Sequence, residues 1–348
     1  MTPLHRRSTV ALAAAIALLA PFASPSGAAA TPPLRDLAAT QHRRVGTALD
    51  LDDLDDPPAL AVADREYSSV TPENEMKWAL VHPERDRYDF VAADRIVDHA
   101  RANGMLVRGH TLVWHRQNPA WLENGTFTRD ELIAILRDHI HTVVGHFAGR
   151  VRQWDVVNEA IRDDGTGLRD NLWLRGIGPD YIPLAFRFAH EADPHARLYL
   201  NDYLNETISP KSNYFFGYAY IMRAFGMPIG GLGVQMHRFL ALPESAADVE
   251  ANLRRMGAAG FQVWITEMDV AVLLPADAAE LAEQATVYAD VVDACLHVRR
   301  CRGITTWGFT DRSSWVPGEF PGFGAALPFD EALTPKPAYL AIAAALRG

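Results

Sequence analysis

Eight short runs of β-branched and apolar residues recur along this chain with helical stretches between them: Val45–Ala48, Ser68–Thr71, Leu106–Thr111, Val151–Val157, Arg197–Leu200, Gly231–Met236, Phe261–Thr266 and Gly303–Trp307. Most intervals leave room for a loop and a crossover helix, the connection that a parallel pair of strands requires. Phe90–Asn103, Thr128–Phe147 with Thr128 as N-cap, Ile182–Ala192 and Ala246–Met256 carry helical spacing. Eight such units predict an α/β fold, a (β/α)8 TIM barrel. No Gly-rich or Ser/Thr/Pro-rich linker follows the lead-in at Pro32 and Pro33, so residues 31–348 read as one domain.

The charge balance narrows the function. With 33 Lys plus Arg against 43 Asp plus Glu, the net charge is −10, and no basic cluster follows the first seven residues. Nucleic acid is excluded as a partner, because phosphate neutralisation needs a basic face. The chain has 8 Trp, 10 Tyr and 15 Phe to bury or to stack on ligands.

Residues 1–30 read as an export signal: Arg6 and Arg7, an apolar stretch from Thr9 to Ala20, then small residues with cleavage expected after Ala30. The stretch is short for a bilayer span of about 20 residues, and Pro21 and Pro25 interrupt it. General and twin-arginine routes both fit Arg6-Arg7-Ser8. A secreted product, with no membrane association after signal removal, is expected. In that oxidising setting Cys295 and Cys301 predict a disulfide of modest local effect. Zinc would need further ligands, and no C-x-x-C or H-x-x-x-H spacing supplies them.

In a barrel of this kind the catalytic groups sit where strands end and βα loops open. Polar residues or Trp stand at seven of the eight predicted ends: Glu73-Asn74, His110, Asn158-Glu159, Asn201-Asp202, Gln235 with His237, Glu267 with Asp269, and Trp307. Glu159 and Glu267 close the fourth and seventh strands, so their carboxyls face across the mouth. Hydrolysis of a glycosidic bond needs such a pair, one acid to protonate the leaving oxygen and one carboxylate to attack carbon or activate water. The competing reading is two isolated carboxylates, each satisfied by a nearby Arg or Asn.

The segments TPENEMKW (71–78), HTLVWHRQNPAW (110–121), WDVVNEAI (154–161), GLGVQMH (231–237), ITEMDV (265–270), WGFTDRSSW (307–315) and PKPAY (335–339) occur in the order of the glycoside hydrolase family 10 endo-β-1,4-xylanases. The chain resembles that family over residues 35 to 347. The resemblance implies a catalytic barrel domain over 31–348 that hydrolyses xylan with retention, Glu159 as acid/base and Glu267 as nucleophile. It implies no cofactor and no metal. The partners are xylan and xylo-oligosaccharides, and the protein is expected to be a monomer.

By the same resemblance Asn158 meets the sugar 2-hydroxyl, and His237, oriented by Asp269, contacts Glu267. Such a chain keeps Glu267 ionised while Glu159 holds the proton it must give. Glu73, Asn74, Lys77, His110, Trp114 and Gln117 match the glycone subsites. Trp307 and Trp315 match tryptophans walling those subsites, where their bulk would crowd a C5 hydroxymethyl group and favour xylose over glucose. Tyr203, Gln235 and Asn201 fit the same cleft, whereas Glu73 and Lys77 read without the family would be a surface pair. One departure falls on the aglycone side: the family's N-D-Y-N becomes Asn201-Asp202-Tyr203-Leu204, with Asn205 one place later. Sequons at Asn124 and Asn205 are assigned no glycan, and no carbohydrate-binding module is expected after the PKPAY helix. Two other functions remain open, a non-catalytic xylan-binding protein on a hydrolase scaffold and a β-1,4-glucanase or aryl glycosidase.

Overall fold

A computed structural model describes residues 31–242 and 244–348; the expected export signal lies outside the described residues. Eight parallel strands form the barrel: β1 (Arg44–Leu49), β2 (Ser69–Pro72), β3 (Leu106–Val113), β4 (Gln153–Asn158), β5 (Arg197–Asp202), β6 (Gly231–Val234), β7 (Gln262–Leu273) and β8 (Cys301–Thr306). Neighbours follow chain order, and β8 closes the ring by pairing with both β1, at Arg44↔Gly303, and β7, at Val263↔Cys301. All eight predicted strands are present. Their limits move by a few residues, most at β7, which runs on to Leu273 because it also pairs with two short strands, His237–Phe239 and Phe323–Gly324. The predicted Gly231–Met236 run accordingly breaks after Val234.

The predicted helices form at Val91–Ala102, Arg129–His146, Tyr181–Ala192 and Ala246–Ala258. Thr128 is the N-cap of the second and forms a capping box with Glu131, so two backbone donors of the first turn are satisfied. Each helix lays an apolar face on the strands, as Ile96 and Val97 do in the first and Ile182, Ala185, Phe186 and Ala189 in the third.

Cys295 and Cys301 are bonded, tying the last turn of helix Ala278–His297 to the first residue of β8. Among the described residues, no helix is long and apolar enough to cross a membrane. Asn205 is buried, its amide donating to the Gly233 carbonyl at 3.2 Å, so that sequon is closed to glycosylation in the folded protein. Asn124 is exposed.

Register shifts concentrate near the strand ends that carry the site. They occur between His110 and Val113 on β3, between Asp155 and Val157 on β4, and between Ile265 and Met268 on β7. An extra residue at such a place re-aims the side chains that follow it.

Candidate active site

The C-terminal ends of the strands open on a cleft of about 810 Å³. Every site residue expected from the sequence lines it, apart from Asn201, which lies beneath it. Glu159 follows β4 immediately with a left-handed backbone, φ 54°, a conformation uncommon for any residue but glycine. Its N–H donates to the Asn201 carbonyl at 2.9 Å. The carboxylate accepts from the Trp114 indole at 2.8 Å and from Asn158 and Gln235 at 3.2 Å each. Trp114, expected in the glycone subsites, is thus also a direct partner of the Glu159 carboxylate. His115 Nδ1 stands 3.7 Å from the same carboxylate, and burial with the charges of Arg169 and Arg116 pulls its pKa down to about 4.

Glu267 lies within β7. Its Oε1 accepts from Asn201 Nδ2 at 2.7 Å, and its Oε2 meets His237 Nε2 at 3.3 Å. The other ring nitrogen of His237 is 2.8 Å from Asp269 Oδ2, which also accepts the Trp315 indole N–H at 2.8 Å. The expected Asp269–His237–Glu267 chain is therefore assembled, with Trp315 fixing its far end. Burial would raise the Glu267 carboxyl, but the nearby His110 ring and the His237 hydrogen bond and charge outweigh it and hold the group below its ordinary value. Burial would likewise lower His237, yet the charge and hydrogen bond of Asp269, reinforced by Glu267, raise it to about 10.

That shift has a consequence for stability. Because the folded-state value lies above the ordinary 6.5, the contribution of His237 is fully present below about pH 6.5 and is lost as pH rises to about 10. His237→Asn is expected to flatten the fall in unfolding free energy over this alkaline range. Urea denaturation at several pH values reads it, and an unchanged slope in the variant would contradict the pairing.

One amide links the two carboxylate environments. Asn201 is fully buried and donates both to Glu267 and to the Asn158 side-chain oxygen Oδ1, the latter at 2.8 Å. Its own oxygen accepts from Thr266 at 2.8 Å. Gly233 on β6 makes room for it, since a Cβ there would collide with Asn201 Oδ1. Gln235 completes the bridge by donating to Asn158 and Glu159.

Lys77 is buried at the floor, which rules out the surface-pair reading. Its ammonium donates to Asn74 at 3.1 Å and lies 5.1 Å from the Trp114 ring and 5.9 Å from the Trp307 ring. Burial lowers its pKa against the pull of Glu267, Glu73 and Glu159. Burial also raises Glu73 to about 7, opposed by Lys77 and assisted by Asp50, Asp53 and Glu75. Gln117 donates to Asn74 at 3.2 Å. Leu204, at the departure, is half exposed, has φ 52° and lines the cleft beside Tyr203.

Sequence reasoning missed a buried group under this floor. Arg108 on β3 donates to Asp155 on β4, which holds His110 Nδ1 at 3.1 Å, and its guanidinium sits 4.2 Å from the Tyr199 ring. Charged residues inside two apolar strand runs were the available signal. Among the described residues, no group of three or more His, Cys, Asp or Glu is arranged to hold a metal ion.

A barrel mouth carrying two carboxylates in unlike surroundings, walled by indoles and lined with amides, defines a carbohydrate-processing site. The sequence pattern of Glycosyl hydrolase family 10 matches residues 33–345, and the chain belongs to that family. It is 46% identical to endo-1,4-beta-xylanase B of Thermotoga neapolitana over 317 residues, 89% of this chain and 90% of that protein. It is 39% identical to endo-1,4-beta-xylanase A of Phanerodontia chrysosporium over 300 residues, 86% and 73% of the two chains. Xylanase 10B of Thermotoga petrophila, solved with xylobiose, superposes with a TM-score of 0.88 at 45% identity, covering 90% of this chain and 97% of that one.

Proposed function

We propose that the protein is a secreted, retaining endo-β-1,4-xylanase. The observation that carries this reading is the unequal setting of two carboxylates at one cleft. Glu267 is held below the ordinary carboxylate range between His237 and His110, the state a nucleophile needs. Glu159 is held by the neutral donors Trp114, Asn158 and Gln235. In the first step Glu267 bonds to the anomeric carbon while Glu159 gives its proton to the departing oxygen. In the second, Glu159 takes a proton from water, and that water displaces Glu267 from the same carbon. In this reading Asn158 meets the 2-hydroxyl of the reacting sugar, a contact that strengthens in the transition state; its hydrogen bonds with Glu159 and Asn201 support the role.

Lys77, Asn74, Glu73 and Gln117 supply hydrogen bonds to the glycone sugars, and Trp307 and Trp315 wall them. Export is supported by the basic and apolar N-terminal pattern and by the disulfide, which persists in oxidising compartments. Residues 1–30 are the signal in this reading and 31–348 the single, monomeric catalytic domain. The names of the relatives support xylan as the substrate.

The test is a proton NMR time course on unbranched xylohexaose, with cellohexaose in parallel. Internal cleavage of the xylo-oligomer with the β-anomer appearing first is expected. Cleavage of neither would favour a binding protein, and preference for cellohexaose would overturn the role given to the two tryptophans.

A further inference from the structure

The loop that begins at Glu159 folds back on itself. Ile161 forms an antiparallel bridge with Leu168, and the Arg169 N–H donates to the Ala160 carbonyl at 2.7 Å, bringing Arg169 back against the residue that starts the loop. Its guanidinium then reaches the backbone of that residue: Nε donates to the Glu159 carbonyl at 3.1 Å and an Nη to the Ile161 carbonyl at 3.2 Å. The same Nη lies 2.6 Å from Asp163 Oδ1 and 2.7 Å from the Tyr203 hydroxyl. A chain of charges fixes the guanidinium in turn. Lys211, itself buried, holds Asp163 at 3.1 Å and Asp202 at 2.8 Å, and Asp202 accepts the Ile161 N–H at 3.1 Å.

The backbone that receives this attention is the one with least intrinsic reason to hold its shape. A glutamate at φ 54° persists only where its surroundings over-determine it. On the amino side the anchor is the Asn201 carbonyl on β5, and on the carboxyl side it is the Arg169 fork. From these contacts we infer that Arg169 is a positioning residue for proton transfer: by clamping the Glu159 carbonyl it keeps the left-handed backbone that aims the carboxyl at the leaving oxygen. The inference rests on Glu159 being the proton donor. With the clamp gone, the peptide relaxes and the carboxyl swings away from Trp114 and Gln235. A displacement of about 1 Å at a reacting group costs on the order of 10²-fold in rate.

A group that positions an acid is distinguished from one that merely stabilises a loop by its dependence on the leaving group. Arg169→Met, Arg169→Lys and Glu159→Ala would be compared with the parent enzyme on phenyl and 2,4-dinitrophenyl β-xylobioside, which place the same ring at the leaving side. Arg169→Met is expected to lose about 10²-fold in kcat/KM on the phenyl glycoside, mostly in kcat, and no more than about threefold on the dinitrophenyl glycoside, which needs no proton. Arg169→Lys keeps the charge without the fork, and a selective loss of the same kind but smaller size is expected; it also carries the test if the methionine variant does not fold. Equal losses on both substrates, or a lowered melting temperature with no selectivity, would overturn the inference. If Glu159→Ala itself showed no selectivity, the proton-donor assignment would be what fails.

Discussion

Glu267→Ala is expected to abolish turnover while sparing the affinity for xylo-oligosaccharide. With Glu267 as the proposed nucleophile, its removal takes away the group that forms the covalent bond, and losses on the order of 10⁴-fold or more are typical of such deletions. Binding should be spared because, in the function proposed above, the sugar is held from other elements that line the cleft, Asn74 and Lys77 after β2, Gln117 after β3 and Trp307 after β8. The substitution opens space beside Asn201 and His237, where a small anion can enter. Azide, added with an activated aryl xylobioside, should restore turnover and give a glycosyl azide of inverted configuration, because the anion attacks from the side Glu267 occupied. Isothermal titration, rate measurement and anomeric analysis of the product together test this. Retained full activity would eliminate Glu267 as the nucleophile, and a rescued product of retained configuration would put the attacking group on the other face.

The strand ends were legible in the sequence because a barrel gives them a fixed meaning. Once eight apolar runs are spaced for crossover helices, a Glu closing the run WDVVN or VWIT stands at the mouth. The Asp269–His237 chain was legible through the resemblance of GLGVQMH and ITEMDV to the family's segments, and the structure sets the two residues side by side, His237↔Asp269, where the short strand His237–Phe239 pairs with β7. What stayed hidden depends on register and on loop paths. Arg108 and Asp155 each interrupt an apolar run, but their union under His110 follows from the β3–β4 register, Arg108↔Gln153 and His110↔Asp155, which no local spacing encodes. Trp114 could be assigned to the cleft, yet the bond from its indole N–H to Glu159 is encoded by no local spacing, because Trp114 follows the register shift between His110 and Val113 on β3. Arg169 was invisible for a third reason. It lies in a loop with neither helical nor strand periodicity, and only the fold-back at Ile161 and Leu168 returns it to Glu159.

Glu159→Ala is expected to separate substrates by leaving group. General acid catalysis contributes about 10²- to 10⁴-fold, so xylan and unactivated xylobiosides should lose turnover within that range. A dinitrophenyl xylobioside departs without a proton, and its glycosylation step should fall only a few-fold. The second step still needs Glu159 as base, so the glycosyl-enzyme should accumulate on the activated substrate and appear as a burst followed by slow release. Azide, which needs no base, should then speed release and give a product of retained configuration, since it attacks the intermediate from the side Glu159 faced. The stereochemistry of rescue thus assigns each carboxylate to its own face of the sugar: inverted product from the Glu267 variant and retained product from the Glu159 variant. Equal losses on activated and unactivated substrates, with no burst, would contradict the proton-donor role. Identical stereochemistry from the two variants would contradict the opposed arrangement that β4 and β7 give the two glutamates across the mouth.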